Sequence, residues 1–82
     1  MTSQASKQIM EVVAQNILHA RLAADMTQRE VGVALEMDAR GVSRWETGRV
    51  APSRTKLSQL ADLFGVDPGW FYTDHSRRRA AA

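Results

Sequence analysis

Eighty-two residues with 44% hydrophobic and 24% charged content fit one small domain around a single core, with no room for a second lobe. The absence of cysteine excludes disulfides and cysteine-based zinc sites, and it suits a reducing compartment. The net charge of +2 says little as a total; no apolar run approaches the roughly 20 residues of a membrane span, and the polar opening MTSQASKQ lacks the apolar stretch of a secretory signal, so no membrane partner and a cytoplasmic, nucleoid-associated location are expected.

Residues 1–7 are small and polar and read as a flexible N-terminus. Ile9, Val13, Ile17 and Ala20 then share one face at helical spacing, which predicts a first helix over about 8–24 that supplies core rather than chemistry. Thr27 followed by Glu30 has the spacing of a capping box and predicts a second helix over 28–35. Asp38 offers the next N-cap after only Glu36 and Met37, so a third helix over 39–47 must cross the second steeply after a tight turn. That is helix-turn-helix spacing.

Gly48 stops the third helix, and Val50-Ala51-Pro52 leads out in an extended conformation. Ser53 caps a fourth helix over 53–64, with Leu57, Leu60, Ala61 and Phe64 on one face and Gly65 at its end. Asp67 caps a short fifth helix over 68–72, with Pro68 in the favoured first position. Residues 74–82, including Arg77-Arg78-Arg79, form a basic tail without apolar partners and are expected to be disordered, leaving 8–73 as the domain. The fold class is therefore all-α, a compact five-helix domain. Met10, Met26 and Met37 read as gap-filling core residues.

On the third helix, Val42 and Trp45 share a face that should pack inward, while Arg40, Ser43, Arg44 and Thr47 collect on the opposite face. Charges at helical spacing are usually no more than a solvated surface. Their distribution changes the weighing: residues 1–38 carry three basic and five acidic groups, residues 39–56 five and one, and residues 57–82 three and three. Positive charge is thus gathered on Arg40, Arg44, Arg49, Arg54 and Lys56, beside a helix of groove size. A duplex presents a phosphate about every 1.7 Å of axis, and such a patch is its electrostatic complement.

With these residues in view, the chain resembles the Cro/C1-type (XRE-like) helix-turn-helix family, the small phage repressors and their bacterial relatives, from about Val13 to Thr73. The matching positions are Arg21, Thr27-Gln28, Val42-Ser43-Arg44-Trp45-Glu46 with Gly48, Pro52-Ser53, and Leu60-Ala61 with Phe64-Gly65-Val66. The resemblance implies a lambda-repressor-like fold and a double-stranded DNA operator as partner. It also implies base reading at Ala39, Arg40 and Arg44, with Gln28 donating to a phosphate at the start of the second helix. Ser43, Thr47 and Arg49 match positions where relatives touch the sugar-phosphate backbone, and Ser53, Arg54 and Lys56 face the same strand. Arg21 and Glu46 match a structural bridge between the first and third helices, the rival reading being two unrelated surface charges. Departures from the family pattern are Glu36, where glycine is usual in the turn, Gly32 in place of alanine, and Gly41 inside the third helix. Ala39 offers only a methyl group, which suits a thymine methyl rather than a hydrogen bond.

Other chemistry lacks its parts. His19 and His75 are the only histidines, with no ligand set beside either, and no nucleophile has a base within helical reach, so neither an enzyme nor a cofactor is expected. Trp70, Phe71 and Tyr72 are adjacent and cannot all enter one core; Phe71 is assigned inward, and Trp70 and Tyr72 are the candidate surface for a dimer or protein partner. Two functions stay open. The first is a transcription regulator, most simply a repressor, acting as a homodimer on a palindromic operator and using the fifth helix, the N-terminal helix or the tail to pair. The second is a protein-interaction module on the same scaffold, such as an antitoxin or anti-repressor.

Overall fold

A computed structural model describes residues 4–75 of the chain, with side chains from residue 7 onward. Four α-helices, α1 (Gln4–Ala23), α2 (Gln28–Ala34), α3 (Ala39–Glu46) and α4 (Arg54–Phe64), are followed by a 3-10 helix at Pro68–Tyr72. The architecture is all-α, as expected, but the fifth element is not an α-helix. Five residues that begin with Pro68-Gly69 are too few for a stable α-helical ladder, and the turn closes instead with Trp70 N–H donating to Asp67 O at 2.9 Å and Thr73 N–H to Trp70 O at 3.2 Å. Asp67 holds the N-cap position without a side-chain cap bond, which corrects its expected capping role. The first helix starts at Gln4, earlier than residue 8, because the apolar stripe that marks it in the sequence reports only its packed portion. The Arg77–Arg79 run lies outside the described residues.

Local chemistry sets the boundaries. Thr27 and Glu30 form the reciprocal capping box, with Thr27 Oγ1 accepting from Glu30 N–H at 3.0 Å and Glu30 Oε1 from Thr27 N–H at 2.8 Å. Asp38 and Ser53 cap α3 and α4 through Arg40 N–H and Lys56 N–H. Each α-helix then ends in a six-to-one bond of the Schellman type, Met26 N–H to Arg21 O, Met37 N–H to Gly32 O, Arg49 N–H to Arg44 O and Val66 N–H to Ala61 O, at 2.8–3.1 Å. The motif needs a left-handed residue before the donor: Gly48 and Gly65 supply two, and Asp25 and Glu36, both at φ 57°, supply the others despite their Cβ.

Ile17, Val31, Val42, Leu60 and Phe71 are fully buried and, with Val13, Leu35, Trp45, Leu57 and Ala61, make one core. The donors of three Schellman bonds, Met26, Met37 and Val66, pack their side chains against it, so helix termination and core formation are the same event. The close crossing of α2 and α3 depends on Gly32: a Cβ there would stand 2.7 Å from the carbonyl oxygen of Met37, too near for the alanine usual in the family. Ile9 and Met10 depart from expectation. They are 51% and 36% exposed, because the first turns of α1 project past the elements that cover Val13 and Ile17.

One core residue is polar. Asn16 is 4% exposed, and its Nδ2 donates to Phe71 O and Thr73 O, both at 2.8 Å, which fastens the 3-10 helix to α1. Its place in the stripe Val13, Asn16, Ile17, Ala20 was a signal in the sequence, since a polar residue on an apolar face needs a buried partner.

The left-handed Glu36 gives a direct test of the turn. Glu36→Gly removes about 1–2 kcal/mol of strain and adds somewhat less unfolded-state entropy, for a net gain of about 0.5–1 kcal/mol. The melting temperature should rise by about 3–6 °C, read by circular dichroism.

Candidate nucleic-acid interface

The two faces of α3 are separated cleanly. Val42 and Trp45 are buried, whereas Arg40, Ser43, Arg44, Thr47 and Arg49 line one shallow groove on the opposite side. The Arg40 side chain is 85% exposed and stands at the start of the helix beside Ala39. Asp38 lies next to it: Oδ1 caps the helix by accepting from Arg40 N–H at 3.0 Å, and Oδ2 lies 3.4 Å from Arg40 Nη2. The backbone hydrogen bond from Arg40, and then its charge, hold the Asp38 carboxyl below the usual aspartate value. An exposed ion pair of this kind is worth little, so Arg40 can leave Asp38 for another acceptor at small cost.

Behind the groove, a single carboxylate joins three helices. Glu46, at the end of α3, accepts from Arg21 Nε at 2.6 Å and Nη2 at 3.1 Å on α1, and from Gln28 Nε2 at 2.9 Å at the start of α2. Arg21 also donates Nη1 to Met26 O at 2.8 Å. The side chains of Arg21 and Glu46 are only 12% and 4% exposed, so this is a buried bridge and not a pair of unrelated surface charges. The hydrogen bond to Glu46 raises the Arg21 guanidinium above its already high value, keeping it charged throughout the accessible pH range. Gln28 thus uses one amide N–H on Glu46 and retains the second.

The residues assigned to the fourth helix are similarly half committed. Ser53 Oγ accepts from Lys56 N–H at 3.2 Å, which leaves its own O–H to donate. Lys56 Nζ donates to Leu35 O at 2.6 Å, at the C-terminus of α2, where a cation complements the helix dipole. Arg54 is exposed. The Lys56 contact ties α4 to the turn of the motif, a role that no sequence pattern signalled because its partner is a backbone carbonyl 21 positions away. At the far end, Phe71 is fully buried, Tyr72 is 58% exposed, and Trp70 is partly covered by the His75 ring stacked on it at 4.3 Å.

This arrangement is a two-helix unit with a charged outer face, and it can be set against known families. The helix-turn-helix family model matches residues 17–71, from the middle of α1 to the 3-10 helix. The chain belongs to the Cro/C1-type helix-turn-helix family. This family is one of DNA-binding domains. The fold is similar to that of a hypothetical transcription factor, NHTF, from Neisseria, with a TM-score of 0.78, 20% identity, and coverage of 90% of this chain and 85% of that one. No curated protein matches the chain. Among the described residues of this helix-turn-helix domain, no helix is long and apolar enough to cross a membrane.

Two measurements probe the site's supports. Glu46→Ala leaves a buried guanidinium without its counter-charge and should cost about 3 kcal/mol in urea unfolding. Asp38 sets a pH dependence: its lowered acidity in the folded state contributes stability above the ordinary aspartate value, and that contribution is lost as pH falls through the folded value. Asp38→Asn keeps a cap but not the charge. Melting curves of the two proteins should differ near neutrality and converge below about pH 4; a constant difference through the acid range would contradict this account.

Proposed function

We propose that this domain is a sequence-specific regulator of transcription, most simply a repressor, that lays α3 in the major groove of a palindromic operator and binds it as a homodimer. The observation that carries this reading is the convergence of Arg40, Ser43, Arg44, Thr47 and Arg49 on one open groove along the second helix of the motif. Arg40 and Arg44 are the base readers, each able to bond guanine O6 and N7 for about 1–3 kcal/mol of discrimination, with Ala39 meeting a thymine methyl. Ser43, Thr47 and Arg49 contact the sugar-phosphate backbone, Ser53, Arg54 and Lys56 face the same strand, and Gln28 donates to a phosphate at the start of α2; Gln28, Ser53 and Lys56 do so through the donors their internal bonds leave over, and Thr47 by exchanging its O–H bond to Arg44 O for one to phosphate. Gln28 and Lys56 then act twice: each holds the motif together and offers a further N–H to phosphate. A single domain makes few base contacts, which is why two copies on a palindrome are needed to select a site.

Selection from a random duplex pool at near-physiological salt tests the reading. A palindromic consensus with half-sites about 34 Å apart is the expected result. Arg40→Ala with Arg44→Ala should abolish preference for that consensus while much of the salt-dependent, non-specific binding persists. Failure of the wild type to enrich any sequence would favour a protein-interaction module, for which the exposed Tyr72 is the supporting observation.

A further inference from the structure

Asp38 and Arg40 stand side by side at the leading end of α3, and both side chains reach solvent. They are 64% and 85% exposed, and Oδ2 of the carboxylate lies 3.4 Å from Nη2 of the guanidinium. A pair this exposed contributes little to stability, so stability does not explain why the carboxylate is there. Capping does not explain it either. Serine or asparagine would cap the helix about as well, and a negative charge beside a cationic groove weakens the attraction to a polyanion. The helix dipole favours an anion at this end, which accounts for the charge but not for the direction of its outer oxygen.

That direction is fixed by the cap. Oδ1 accepts from Arg40 N–H at 3.0 Å, which pins the carboxylate and leaves Oδ2 beside the guanidinium. The Arg40 N–H does most to hold the carboxyl below the usual aspartate value, followed by the Arg40 charge, and the charge of Arg44 adds a smaller contribution. Near neutral pH Oδ2 is therefore an acceptor only, whereas Arg40, at the start of the groove along α3, supplies donors only.

A G·C pair shows the complementary pattern in the major groove: guanine N7 and O6, both acceptors, and then the cytosine N4–H2 donor. O6 and N4 are hydrogen-bonded to each other across the pair, so they lie about 2.9 Å apart. The 3.4 Å between Arg40 Nη2 and Asp38 Oδ2 is close to that spacing. We propose that Asp38 and Arg40 act together as the reader of one whole G·C pair, Arg40 donating to guanine N7 and O6 while Asp38 Oδ2 accepts from cytosine N4–H2, an inference that rests on the reading of α3 as a major-groove reader. The carboxylate also excludes. On an A·T pair the same arrangement sets Oδ2 against thymine O4, acceptor against acceptor, and the guanidinium against the adenine N6–H2 donor. Asp38 thus gives up general affinity for DNA in exchange for choice of base pair.

Selection from a random duplex pool with the wild type and three variants of the full chain tests this. Arg40→Ala identifies the base pair that Arg40 reads, as the position where the wild-type preference disappears. Asp38→Asn and Asp38→Ser both keep a cap and lose the carboxylate, so failure of one to fold does not decide the matter. In the asparagine variant the cap holds the amide oxygen at the helix, and Nδ2–H2, a donor, takes the place of Oδ2. Preference for G·C over A·T at the Arg40 pair should fall about tenfold in both variants, with Asp38→Asn gaining most on A·T because its amide donates to thymine O4. Binding to random duplex should strengthen in both as a negative charge is lost. A residue that only caps the helix would change the melting temperature and leave the base preference where it was. Both variants keeping the wild-type preference at that pair, or a wild-type consensus without G·C there, would overturn the proposal and leave the DNA reading intact. A wild type that enriches no sequence would overturn the DNA reading and this inference with it.

Discussion

The carboxylate of Glu46 is the point through which the DNA-binding unit is held in register. It terminates α3 and accepts from Arg21 on α1 and Gln28 at the start of α2, and Arg21 in turn reaches the carbonyl of Met26 between those two helices. A buried charge needs its counter-charge and every remaining lone pair satisfied, and this arrangement tolerates little displacement of any partner. Fixing the end of α3 against α1 and the beginning of α2 fixes how far the arginine face stands from the N-terminus of α2. The apolar core fills the space between the helices; this bridge sets their relative placement.

A second economy lies in how the helices stop. Each α-helix ends in the same hydrogen-bonded turn, and in three cases the residue that donates the closing bond is the residue whose side chain enters the core. The tight turn between α2 and α3 is the demanding example. Gly32 admits the carbonyl of Met37, Glu36 accepts a left-handed backbone, and Met37 packs inward. Glu36, where the family usually has glycine, thus takes the left-handed conformation at a cost of about 1–2 kcal/mol of backbone strain. The exposed arginines contribute little to this stability, since surface charges rarely do. Their concentration on one face is better understood through what they meet in solution than through what they hold together.

The helical framework was largely legible in the chain. The capping pairs at Thr27, Asp38 and Ser53 and the stops at Gly48 and Gly65 are local signals, and each rests on backbone groups within a turn of the residue concerned. The fifth element was legible in place but not in kind, because α and 3-10 geometry diverge over too few residues for a sequence pattern to separate them. Ile9 and Met10 were misassigned to the core for a related reason: periodicity reveals which face of a helix is apolar, not how far along that face a neighbour extends. The arginine face of α3 could be read because side chains three and four apart are neighbours on any helix.

By itself the sequence determined where α2, α3 and α4 begin and stop, which face of α3 is charged, and which residues carry that charge, since all of these follow from interactions between near neighbours in the chain. Only the tertiary structure decided that Gln28 and Arg21 converge on one carboxylate, that Lys56 reaches back to Leu35, that Asn16 clasps the 3-10 helix, and that Ile9, Met10, Val50 and Tyr72 share a groove. Those contacts join residues from about 18 to more than 50 positions apart. Their partners are mostly backbone carbonyls or unremarkable side chains, which have no signature until the chain brings them together.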